Sequence, residues 1–168
     1  MELYIVRHGA AVNVGDQGIT RDEDRILSPA GRKKTTEVAR GLANMGVRPE
    51  RIGSSPLPRA LETAHLIAEV LGPQEPVELC DFLRPGATAG DVIKWLHKAG
   101  VESAMVVGHM PDVAAIAAAL FSSGATVATV FKKAAVCCVS FDEAPELGKG
   151  DLEWLMQPAQ LRVKKGKK

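Results

Sequence analysis

Ser103-Ala104-Met105-Val106-Val107-Gly108-His109-Met110-Pro111 is the stretch on which the fold turns. Its first six residues form a short continuous apolar run, the pattern of a strand buried on both faces. Glycine and histidine follow, and then a proline that opens an alanine-rich segment predicted as a helix over Pro111–Phe121. A doubly buried strand running directly into a helix is the repeating unit of a parallel sheet. Upstream, the same alternation recurs. Leu3–Arg7 reads as a strand, Pro29–Met45 as a helix with Val38, Leu42 and Met45 on one face, and Arg51–Ser54 as a strand. Pro56–Leu71 reads as a helix with Leu57, Ala60, Leu61, Ala64, Ile67, Ala68 and Leu71 at helical spacing. Val77–Cys80 is a weak strand, and Ala89–His97 a helix with Thr88 as N-cap and Asp91 three residues on. Downstream, Ala134–Asp142 and Leu152–Met156 read as two strands around a Gly148-Lys149-Gly150 turn. This order predicts an α/β fold: a mostly parallel central sheet, helices on both faces and an antiparallel edge. One domain is expected over residues 1–161, followed by a basic tail over residues 162–168.

The chain has 168 residues, 46% of them apolar and 24% charged, which excludes intrinsic disorder for its bulk. No apolar run approaches the roughly 18 residues of a membrane span. Nothing at the N-terminus resembles a secretory leader, and three cysteines cannot build a disulfide framework, so a reducing, cytoplasmic setting is expected. Five bases (Arg162, Lys164, Lys165, Lys167, Lys168) fall in the last seven residues. Setting them aside from a net charge of +1 leaves −4 on the body. An acidic body argues against nucleic-acid binding. The tail reads as a solubilising end, with a docking patch for an acidic partner as the sharper alternative.

In a parallel sheet, ligands sit beyond the carboxyl ends of the strands. Three strand ends carry related chemistry here: Arg7-His8-Gly9, Ser54-Ser55-Pro56 with Arg59 just beyond, and Gly108-His109-Met110-Pro111. Arginine presents a planar fork of donors suited to phosphate oxygens, and neutral imidazole is a nucleophile near neutral pH. Gly9 would let the backbone turn and approach a ligand. Ser55 and Pro56 read as an N-cap and a first helical position, and helix starts suit anions. Together these residues predict an anion pocket whose histidine makes the anion a reactant. His65 and His97 read as structural, and Cys80 as a small apolar residue. Cys137 and Cys138 are adjacent in a strand and point to opposite faces. No metal-ligand spacing and no nucleotide-binding glycine motif is present, so neither metal nor nucleotide binding has support.

The Arg7-His8-Gly9 triplet resembles the RHG signature of the histidine phosphatase superfamily, also called the phosphoglycerate mutase-like family. Ser54-Ser55-Pro56-Leu57-Pro58-Arg59-Ala60-Leu61-Glu62-Thr63-Ala64 is similar to its S-P-x-x-R-A-x-x-T-A segment, and Val107–Pro111 to its second-histidine motif. The proline after His109, the Arg25–Gly31 segment and Trp154–Pro158 resemble the SixA-type branch, the phosphohistidine phosphatases. The departures fall on Ala10, Ile26, Ser28 and Met110. The resemblance implies a three-layer α/β/α sandwich and no cofactor. It implies His8 as the nucleophile forming a phosphohistidine, with Arg7, Arg59 and His109 holding the phosphoryl group. Arg25, Gly9 and Ser55 are candidate substrate contacts. The substrate class it implies is a phosphohistidine-bearing protein, such as a histidine-phosphotransfer domain or a phosphotransferase-system carrier. A monomer is expected.

Phosphoryl transfer demands positioning and charge neutralisation. His8 is expected to be neutral, with its non-attacking nitrogen held by a backbone carbonyl and its imidazolium form disfavoured by the two arginines. Ester hydrolysis also needs a general acid, for which Asp81 is the candidate; P–N cleavage needs less acid help. Two alternatives remain open at this stage: a small-molecule phosphomonoester phosphatase, and a phosphoprotein-binding module without turnover.

Overall fold

The decisive stretch is a strand over Ser103–Gly108, buried from its second residue to its last. A computed structural model describes residues 1–124 and 127–162. In chain order the strands are β1 (Glu2–Arg7), β2 (Arg51–Ser54), β3 (Glu78–Leu79), β4 (Ser103–Gly108), β5 (Val136–Ser140) and β6 (Asp151–Met156). The helices are α1 (Pro29–Asn44), α2 (Pro58–Leu71), α3 (Ala89–Ala99), α4 (Asp112–Phe121) and α5 (Pro158–Leu161). The sheet order is β3-β2-β4-β1-β5-β6. The first four of these are mutually parallel, while β5 and β6 form an antiparallel hairpin laid along β1.

Side-chain alternation along the strands divides the core in two. Leu3, Ile5, Ala104, Val106, Cys137 and Val139 face α3 and α4, whose Val92, Leu96, Ile116 and Leu120 cover them. Tyr4, Val6, Met105, Val107 and Cys138 face α1, α2 and α5. The result is the expected three-layer α/β/α sandwich. Each fully buried Leu or Ile contributes about 1.5–3 kcal/mol to its stability. Cys137 and Cys138 lie on opposite faces, as their adjacency required.

Local chemistry sets the helix ends. Ser28 caps α1, its Oγ accepting from the Gly31 amide at 3.0 Å, with Pro29 in the first turn. Thr88 caps α3 through the Asp91 amide. Three expectations need correction. Helix α2 begins at Pro58, because a residue before proline is pushed out of helical geometry and Leu57 has ψ 136°. Ser55 is therefore not its N-cap. Met45 lies past the end of α1 and is 44% exposed, unlike the fully buried Val38 and Leu42. Helix α4 starts at Asp112, with Pro111 as the flanking residue. The four-residue α5 was not anticipated. It docks so closely on α1 that a Cβ on Gly41 would overlap the Leu161 carbonyl oxygen. Of the basic tail only Arg162 is described, and the expectation for residues 163–168 lies outside the described residues.

Candidate active site

Parallel pairing brings three distant motifs to one sheet edge. In the ladder Arg7 stands opposite Gly108 and Ser54 opposite Val107. The next backbone bonds extend the register past the strand ends: His8 N–H donates to Gly108 at 3.1 Å and Ser55 N–H to Val107 at 3.0 Å. His8, Ser55 and His109 are thereby the first residues beyond three neighbouring strands. The His8 and His109 rings lie 5.2 Å apart between centroids. Arg59 reaches the group from the first turn of α2.

His8 is 7% exposed, and its Nδ1 lies 2.7 Å from the Gly9 carbonyl oxygen. A carbonyl can only accept, so Nδ1 carries the proton and Nε2 presents a lone pair. Burial is the first reason the ring stays neutral, with His109, Arg59 and Arg7 adding to it; together they push its pKa down to about 3. The arginines expected to do this work are thus secondary to desolvation. His109 is 3% exposed and is pushed down to about 4, again by burial first and by Arg59 next. It is neutral before any anion arrives, and a bound dianion would act in the opposite sense and favour its protonation.

Arg7 donates through Nη1 to the Phe131 carbonyl at 2.6 Å. Arg59 is 5% exposed and donates through Nη1 to the Asp22 carbonyl at 2.7 Å and through Nη2 to the Asp22 carboxylate at 3.1 Å. Burial lowers the pKa of both guanidinium groups, yet arginine keeps its charge at neutral pH. Arg7 Nε, Arg59 Nε and His109 Nδ1 are buried without a protein partner. Such atoms are costly unless something satisfies them, and the oxygens of an anion are acceptors of the kind they lack.

Comparison with known proteins agrees with this geometry. The family description "histidine phosphatase superfamily (branch 1)" matches residues 3–85. The mitochondrial serine/threonine-protein phosphatase Pgam5 of Drosophila yakuba is 34% identical over 86 residues, which are 51% of this chain and 28% of that protein. An uncharacterized protein of Picosynechococcus sp. is 38% identical over 117 residues, 67% of this chain and 68% of its own. The structure of the protein histidine phosphatase SixA complexed with tungstate superposes with a TM-score of 0.83 at 30% identity. That match covers 96% of this chain and all of the other. The chain belongs to the histidine phosphatase superfamily.

The remaining expected residues of this histidine phosphatase play varied parts. Gly9 contributes its carbonyl to His8 and donates its amide to Thr63 Oγ1 at 2.9 Å. It has no room for a side chain, since a Cβ would meet Thr35 Oγ1 at 2.5 Å and Leu27 Cδ2 at 3.2 Å. What it closely approaches here is the protein's own α1. Ser55 does join the cluster: its Oγ lies 2.8 Å from His109 Nε2 and accepts from the Leu57 amide at 3.3 Å. Arg25 spends Nε on the Val12 carbonyl at 2.6 Å and Nη1 on Asp22 at 2.9 Å. Asp81 is 88% exposed and pairs with Arg84 at 3.1 Å; no hydrogen bond or ion pair joins it to His8, Arg7, Arg59 or His109.

Two supporting groups in the histidine phosphatase site escaped the sequence reading. Thr63 stands four residues after Arg59, one helical turn on, and donates to its carbonyl at 2.7 Å. The i, i+4 spacing was the available signal. Asp22 sits in the charged run Arg21–Arg25; nothing local marks it as the partner of Arg59, 37 residues away. Among the described residues, no group of three or more His, Cys, Asp and Glu side chains converges to hold a metal ion. No helix of the described residues is long and apolar enough to cross a membrane.

Proposed function

We propose that this phosphatase hydrolyses phosphohistidine on a phosphotransfer protein, a histidine-phosphotransfer domain or a phosphotransferase-system carrier, through a covalent phosphohistidine on His8. The carrying observation is the protonation state built into the site. His8 is neutral with Nε2 free, and the carboxylate bound to Arg59, that of Asp22, is held below the usual range by Arg25 and Arg59. Asp22 therefore has no proton to give to a departing alkoxide. A phosphoramidate nitrogen takes its proton from solvent and leaves as neutral imidazole, so P–N cleavage tolerates such a site better than ester cleavage. The similarity to a SixA protein histidine phosphatase supports the same reading.

In the first step the His8 Nε2 lone pair forms a bond to phosphorus as the substrate's P–N bond breaks and its nitrogen is protonated. Water then attacks phospho-His8, the Nε2–P bond breaks, and inorganic phosphate leaves. Arg7 and Arg59 neutralise the equatorial oxygens in both steps, and His109 adds a donor. Gly9 keeps the Nδ1 proton in place and hence the attacking nitrogen aligned.

A second reading, hydrolysis of phosphoserine or phosphothreonine esters, is favoured by the similarity to the serine/threonine-protein phosphatase Pgam5 over 86 residues. The test is phosphate release from a phosphohistidine-bearing carrier protein, a phosphoserine peptide and para-nitrophenyl phosphate, with wild type and His8→Ala compared. Turnover of the phosphohistidine protein, lost in His8→Ala and accompanied by poor ester turnover, is the expected result. Efficient ester turnover establishes the second reading. A stable phospho-His8 with no phosphate release makes the protein a binding module instead.

A further inference from the structure

Arg59 has five N–H groups, and the protein occupies only one edge of them. Asp22 takes the terminal edge, receiving Nη1 on its backbone oxygen and Nη2 on Oδ2. The side edge, formed by Nε with the second hydrogen of Nη2, is left, and Nε is buried without a partner. Asp22 is itself fixed from behind. Its Oδ1 accepts from Arg25, and Arg25 is tied through Nε to the Val12 carbonyl. Val12 belongs to a short pairing at the base of the loop, where the Val12 amide donates to Ile26 at 3.0 Å and Ala11 bridges to Leu27. A continuous chain of contacts thus runs from the base of the loop through Arg25 and Asp22 to the guanidinium.

We infer that Asp22 and Arg25 are positioning residues: Asp22 clamps the terminal edge of Arg59 so that its side edge faces the phosphoryl group, and Arg25 locks Asp22. The assignment deepens the proposed function, resting on Arg59 as a holder of the phosphoryl group. It also gives Arg25, expected to touch substrate, a supporting role. The alternative role for Asp22 is a competitor that occupies Arg59 and must be displaced. The backbone oxygen argues against that, because releasing Nη1 would require the loop to leave as well as the side chain to rotate. A clamp of this kind keeps a catalytic cation preorganised, and misplacing such a group costs on the order of 10²-fold.

The sign of one measurement separates the roles. Deleting a carboxylate beside an anion site strengthens anion binding by simple electrostatics, and deleting a competitor strengthens it too. Deleting a clamp weakens it. Tungstate is the probe, titrated calorimetrically into wild type, Asp22→Asn, Asp22→Ala, Arg25→Gln and Asp22→Ala/Arg25→Gln. The expected result is weaker binding by about 10- to 100-fold in Asp22→Ala, a smaller loss in Asp22→Asn, which keeps an acceptor oxygen, and a double variant no worse than Asp22→Ala alone. The Arg59 Nε–H nuclear magnetic resonance signal, assigned by its loss in Arg59→Lys, should shift in each Asp22 variant. Equal or tighter tungstate binding in Asp22→Ala overturns the clamp, and additive losses in the double variant put Arg25 on the anion itself. If Asp22→Ala fails to fold, Asp22→Asn decides by the same sign. A wild type that follows this tungstate pattern without turning over phosphohistidine sinks the substrate reading and leaves the clamp standing. A wild type that binds no tungstate sinks both.

Discussion

Lowering the pH from about 7 to about 5.5 should destabilise this protein by about 2.5 kcal/mol, and two histidines should account for it. His8 and His109 are held down to about 3 and about 4 by burial, against about 6.5 in an unfolded chain. Over that interval the unfolded state takes up protons at both positions and the folded state takes up neither. Unfolding is therefore favoured as pH falls through the unfolded value, and stability is recovered as pH rises above it. Integrating the uptake gives about 1.2 kcal/mol for each histidine. The figure depends on the folded values lying below the interval and little on how far below. It is a large part of the roughly 5–15 kcal/mol that holds a domain together. The assay is urea unfolding at the two pH values and constant ionic strength, for wild type, His8→Gln and His109→Gln. Each variant should lose about half of the wild-type pH dependence. The reasoning is refuted if wild type is equally stable at both pH values, or if both variants keep the full dependence. The same depressed value means that protonation of His8 does not set the acid limb of kcat/KM above about pH 4.

Three further outcomes follow from the same geometry. Arg59→Ala should lower phosphate release at least about 10²-fold, the scale of a lost transition-state donor; a loss under about threefold would remove Arg59 from that role. Thr63→Ala strands the buried Gly9 amide and should cost about 1–3 kcal/mol in chemical unfolding, together with a loss of activity from a displaced Gly9 carbonyl. Unchanged stability in that variant would mean another acceptor reaches the amide. Asp81→Ala should leave phosphohistidine turnover intact, because the carboxylate is exposed and paired with Arg84. A selective drop in para-nitrophenyl phosphate turnover would instead make Asp81 an acid for esters.

Much of the architecture was legible because it is written in local patterns. The buried run Ser103–Gly108, the Thr88 cap and the apolar stripe of α2 depend on residues within a turn or two of each other. Strand and helix order then constrained the sheet, since β–helix–β connections favour parallel neighbours. The start of α2 is ambiguous in sequence for a local reason as well. Pro56 and Pro58 both qualify as a first helical position, and only the geometry imposed on Leu57 by Pro58 separates them. Helix α5 is too short to carry a period, and it is settled by its contact with Gly41.

His8, Arg7, Arg59 and His109, and the strand ends near which they fall, are legible from motif and position alone. How those groups are held depends on packing between elements distant in the chain. Depth of burial, more than the neighbouring arginines, keeps His8 neutral, and burial is a property of the assembled layers. The Asp22–Arg59 and Gly9–Thr63 contacts join residues 37 and 54 positions apart, and no local pattern marks such partners. Hydrogen bonds between distant elements depend on distances of a few tenths of an ångström, which packing sets once the chain has folded.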